Sequence, residues 1–192
     1  MKRLYIILAA LGLCAAACTQ APKDPFQTAL ENEIIARTGE GVKVKIDIFE
    51  RIDSTTFGEE LAYRQEVLNL RRSQNEKLFK KYVNERKPNS AAAKRNAINH
   101  DNEVIEGLAR MNETLAPILG DIAYYDYHFS GKAWTKNAQS TYQDFYATIT
   151  PEGKVMSIDN SLKTLHKTLG RVIPGYLELV KSDDDVQEEN AD

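Results

Sequence analysis

The sequence predicts a single α+β domain, an antiparallel sheet of about four strands packed against an N-terminal helix and a long helical hairpin. Three observations predict it. Apolar and polar residues alternate with period two from Val42 to Asp53 and again from Ile122 onward. Between these stretches Leu61, Leu68, Asn75 and Tyr82 recur every seven residues, a helical spacing. Gly120 marks the point where helical periodicity gives way to alternation.

Each element follows from local signals. Asp24 can cap a helix, Pro25 suits its first turn and Gln27 can complete a capping box. With Phe26, Ala29, Leu30 and Ile34 on one face and Gly39 and Gly41 as stops, these residues predict a helix over 25–37. In the strand 42–53, Val42, Val44, Ile46, Ile48 and Ile52 point one way and Lys43, Lys45, Asp47, Arg51 and Asp53 the other. Phe49 and Glu50 break the alternation, so a bulge is expected there. Thr56 and Glu59 form a capping box opening a helix to about Arg86, polar all round from Arg71 to Lys77. The turn Lys87-Pro88-Asn89-Ser90 leads into a third helix, capped by Ser90 and running to about Ala116. Two long helices joined by a short turn make an antiparallel hairpin, and the polar residues near the turn point to a tip reaching beyond the core.

Three strands follow: Ile122–Trp134, Thr141–Thr150 and, after the turn Pro151-Glu152-Gly153, Lys154–Ile158. Tyr125, Tyr127 and Phe129 share one face of the first; Tyr124, Asp126 and His128 share the other. In the second, Phe145, Ala147 and Ile149 oppose Tyr142, Asp144 and Tyr146. Asn160 or Ser161 caps a short helix through Leu162, Leu165 and Leu169, and residues 174–180 add one more turn. The first helix and the hairpin are expected on one face of the sheet, an order that a cystatin-like roll would fit by analogy. Residues 182–192 are acidic with no Lys or Arg, the composition of a disordered tail.

The 192 residues carry a formal net charge of −3, a balance that argues against nucleic acid as a partner. Both cysteines, Cys14 and Cys18, lie at the N-terminus, leaving the body without a thiol for a disulfide or a metal. The first 17 residues have the secretory pattern: basic Lys2 and Arg3, an apolar run Leu4–Leu13, then small Ala15, Ala16 and Ala17. The quartet Ala15-Ala16-Ala17-Cys18 resembles the lipobox of bacterial lipoproteins, with Ala15 where that family usually has Leu. The resemblance covers about a tenth of the chain. It implies cleavage before Cys18, two or three acyl chains on that cysteine and residues 18–24 as a tether; the periodic body is read as one domain over 25–181. A membrane, through that lipid, is the implied partner; Thr19, rather than Asp, after the cysteine leans towards the outer membrane of a Gram-negative cell envelope.

Catalytic signatures are sparse. The sequence has no glycine-rich phosphate loop, no HExxH, no CxxC and no GxSxG, and His100, His128 and His166 lack ligand spacing; no cofactor or metal is expected. Asp126, His128 and Asp144 form a candidate general base, set against the plainer reading of polar residues on a wet sheet face. Tyr124, Tyr142, Tyr146 and Trp134 form a candidate binding platform, set against the reading of core aromatics. Lys77, Lys80, Lys81, Arg86, Lys87, Lys94 and Arg95 cluster at the hairpin tip, either as a contact for anionic lipid or polysaccharide or as a solvated helix end. Together these features predict a membrane-anchored, extracytoplasmic, non-catalytic module binding an envelope protein or glycan. The alternative is a small-molecule-binding roll with an aromatic-lined pocket.

Overall fold

The computed structural model describes residues 23–181, without the side chains of 167 and 168. The signal segment, Cys18, the start of the tether and the acidic tail lie outside the described residues. The fold is α+β. Helix α1 (Pro25–Thr38) precedes strand β1 (Lys43–Thr56), and the helical hairpin α2 (Phe57–Asn84) and α3 (Pro88–Thr114) follows. Strands β2 (Ile122–Trp134), β3 (Gln139–Ile149) and β4 (Val155–Asp159) then complete the sheet. The chain closes with α4 (Leu162–Leu165), a 3-10 segment His166–Val172 and α5 (Tyr176–Val180). The four strands form one antiparallel meander in chain order, with the hairpin inserted between β1 and β2.

The helix starts show how local chemistry sets the boundaries. Asp24 accepts a hydrogen bond from the Phe26 N–H at 2.8 Å, whereas Gln27 turns to Glu31 and completes no capping box. Thr56 and Glu59 form the reciprocal box: Thr56 Oγ1 accepts from the Glu59 N–H at 3.2 Å and Glu59 Oε2 accepts from the Thr56 N–H at 2.8 Å. At α3 the cap is Lys87 rather than Ser90, because Pro88 already fixes the first helical φ and draws Ser90 inside. The polar stretch of α2 stays helical. Its Asn75 and the α3 residue Asp101 are buried against each other at 3.2 Å, and Arg71 Nε donates to Asp101 at 2.7 Å.

β-Bulges change which residues share a face. The unpaired residues of β1 are Asp47 and Ile52, two positions either side of the expected break. The first bulge rotates Phe49 into the core, where it stacks on Tyr127 at 4.4 Å, and leaves Ile48 43% exposed. A bulge in β3 sets Gln143 and Asp144 opposite Ser130 alone, with Asp144 at φ 53°.

The expectation that α1 and the hairpin share one face is corrected. Leu30 and Ile34 of α1 pack on Tyr127, Phe129, Ala147 and Ile149. The foot of the hairpin, with the C-terminal segment, covers the face of Tyr124 and Asp126. The physical reason is the alternation itself: β2 carries large aromatic residues on both faces, so both need a cover.

Candidate functional site

A buried polar network occupies the hairpin side of the sheet. Glu60 and Arg64 lie one turn apart on α2, 1% and 6% exposed, and pair at 2.6 Å. Tyr124 donates its phenol proton to Glu60 Oε2 at 2.8 Å. Arg64 donates to the His166 carbonyl at 2.7 Å, tying α2 to the 3-10 segment. The His166 ring meets Asp126 Oδ2 at 2.7 Å, and Thr148 donates to Asp126 Oδ1 at 2.6 Å. Burial holds the Tyr124 phenol well above its ordinary pKa, so it remains a neutral donor. The hydrogen bond to Asp126 raises the His166 pKa above its ordinary value, against the opposing effect of burial. Among the described residues, every buried side-chain nitrogen or oxygen has a hydrogen-bond partner.

Arg64 also reaches the wall of a cleft of about 520 Å³ between the hairpin and the C-terminal segment. Leu68 and Arg71 of α2 and His100 of α3 line one side; Gly170, Arg171, Tyr176, Leu177 and Val180 line the other. Three arginines and a histidine thus line one cleft together with apolar side chains, and no Asp or Glu is among the lining residues. The acids that fix two of the arginines stand behind them: Glu60 is buried under Arg64, and Asp101, 1% exposed, holds Arg71. Arg171 is oriented by the Met156 carbonyl, to which it donates. A guanidinium has five N–H donors, so Arg71 and Arg171 can each engage a second partner besides the one that orients it.

The four aromatic residues of the candidate platform are not gathered. Tyr124 is 2% exposed and belongs to the buried network. The β3 bulge moves Tyr142 to the opposite face, where its ring meets Phe145 at 5.1 Å. Tyr146 stays on the first face beside the His128 ring, at 5.6 Å. Trp134 is half-buried at the far end of β2, between Lys43 and Gln139.

The candidate base triad is divided too. His128 and Asp144 meet at 3.2 Å on the rim, with the Asp144 side chain 72% exposed. Asp126 turns instead to His166, a residue given no role by sequence spacing. Glu60, Arg64 and the cleft arginines were also missed. One signal pointed to Arg64: it falls on the stripe of Leu61 and Leu68, where a charge needs a buried partner.

No family model, curated protein or solved structure matches the chain. Among the described residues no helix is long and apolar enough to cross a membrane, and no group of His, Cys, Asp or Glu is arranged to hold a metal ion.

Proposed function

We propose that this chain is exported, tethered to a membrane through lipid on Cys18, and works outside the cytoplasm as a non-catalytic module that binds a small anionic molecule. The ligand class is a carboxylate or phosphate compound with an apolar portion, held in the cleft between the hairpin and the C-terminal segment. The lining of that cleft carries the reading: Arg71, Arg171 and His100 line it together with Leu68, Leu177 and Val180. A guanidinium fork matches the paired oxygens of a carboxylate or phosphate, and the apolar floor takes the rest of the molecule. Export and tethering rest on the N-terminal sequence pattern. The geometry favours a small molecule over a flat protein or glycan contact, because Tyr124, Tyr142, Tyr146 and Trp134 make no common surface. The cleft is arginine-lined rather than aromatic-lined, with Tyr176 its one ring apart from His100.

The non-catalytic reading is supported by the two His–Asp pairs. Asp126 is 1% exposed with both carboxylate oxygens engaged, and the His128–Asp144 pair lies on an open rim. General-base catalysis needs a base within hydrogen-bond reach of the proton it takes, and neither pair lines the arginine cleft.

The test is calorimetric titration of citrate and of inorganic phosphate into the chain carrying Cys18→Ser. Saturable heat is expected for at least one anion. Arg171→Ala should weaken it on the order of tenfold or more, because a charge-assisted hydrogen bond contributes about 1.5–3 kcal/mol. Absence of saturable heat with both anions, or equal affinity in Arg171→Ala, contradicts the cleft as the binding site.

A further inference from the structure

The hairpin tip combines two properties that the cleft does not use. The first is charge. Between residues 76 and 95 the chain holds seven Lys and Arg against Glu76 and Glu85, while the whole molecule carries −3, so the rest is acidic. Both acids are already engaged, Glu85 with Lys87 at 2.7 Å and with Lys81 at 3.8 Å, and Glu76 with Arg72 at 3.8 Å. The second is shape. Tyr82, Val83, Pro88 and Ala91 form an apolar cup of about 420 Å³, rimmed by Arg86 and Lys87. Val83 is 52% exposed in it. The tip also stands away from the body. The core of α2 ends at Leu68, and the helix runs on to Asn84, a further rise of about 24 Å at ~1.5 Å per residue.

We propose that the hairpin tip is a docking surface for an anionic lipid bilayer. The cations meet lipid phosphates, and the Tyr82–Val83–Pro88–Ala91 cup takes up the boundary between headgroup and acyl chain. Charge complementarity alone would fit any polyanion. An apolar cup inside a cationic ring needs a partner that presents negative charge and hydrocarbon at one surface, and a lipid leaflet does. The inference is independent of the cleft and of acylation at Cys18.

The chain carrying Cys18→Ser, so that no acyl group contributes, is mixed with vesicles of phosphatidylcholine alone or of phosphatidylcholine with phosphatidylglycerol, and the bound fraction is read by sedimentation. Binding is expected only to the anionic vesicles, weakening as salt rises. Lys80→Gln combined with Lys81→Gln should lower affinity on the order of twentyfold, each surface cation contributing about fivefold. Val83→Asp should lower it as well with the lysines intact. All three side chains are exposed, so the thermal midpoint should match the parent and separate lost docking from lost folding. Equal binding to both vesicles, or unchanged affinity in the lysine variant, overturns the proposal. Full binding by Val83→Asp overturns the lipid assignment and reduces the tip to a polyanion contact.

Discussion

Glu60 and Arg64 take opposite charges into the interior one helical turn apart, and much of the fold meets at them. A buried pair costs desolvation to form, so its two partners depend on each other. Glu60→Ala leaves the Arg64 charge and the Tyr124 hydroxyl without their acceptor. The expected loss is about 3–5 kcal/mol, read as a lower urea midpoint. His166 gives a pH signature. Its pKa is raised in the folded chain by the bond to Asp126, so the folded state binds more protons than the unfolded one around neutrality. The pair therefore contributes fully below about pH 6.5, the ordinary histidine value, and the contribution is lost as pH rises through the raised one. The urea midpoint of the parent should fall over that range, and His166→Gln should flatten the slope. A parent midpoint that is level or rising there would contradict the pairing. These residues were hard to read in the sequence because Glu60 and Arg64 have the spacing of an ordinary surface pair, and nothing in one strand announces that Asp126 will meet a histidine 40 positions away.

At the scale of elements, the strands and helices were readable because their periodicities are long and their caps are local. Strand β2 coincides with the expected 122–134 strand, and the Thr56–Glu59 capping box opens α2 as expected. A bulge in β1 was expected, but its positions and the bulge in β3 escaped, since an unpaired residue is defined by the partner strand and not by its own neighbours. One skipped residue at Asp47 and one at Asp144 were enough to move Phe49 inward and Tyr142 across the sheet. Two substitutions probe this level. Thr56→Ala removes the side-chain half of the cap on α2 and should cost about 1 kcal/mol. Gly131→Ala is expected to cost more, about 1–3 kcal/mol, because a Cβ there would lie 2.5 Å from the Lys45 carbonyl oxygen on β1. Thermal midpoints of the two variants should fall in that order, and a Gly131→Ala protein as stable as the parent would show that β1 can draw back.

For the molecule as a whole, the N-terminal segment and the folded body carry different parts of the proposed function. The fold class could be read from periodicity, whereas the proposed tether rests on eighteen N-terminal residues that the described structure does not include. The cleft could not be read, because its arginines come from α2 and from the 3-10 segment a hundred residues later. The proposed arrangement is a small body on a lipid anchor, with an anion cleft between hairpin and C-terminal segment and a cationic tip extending from it. In this proposal, lipid on Cys18 is what would distinguish a surface-tethered binder from a free globular domain. The intact mass of the chain extracted from membranes tests that claim most directly. A chain beginning at Cys18 is expected, heavier by a diacylglyceryl group with or without an amide-linked acyl chain, and Cys18→Ser should be released completely from membranes at high salt. A mass equal to the unmodified chain from Cys18 would contradict it.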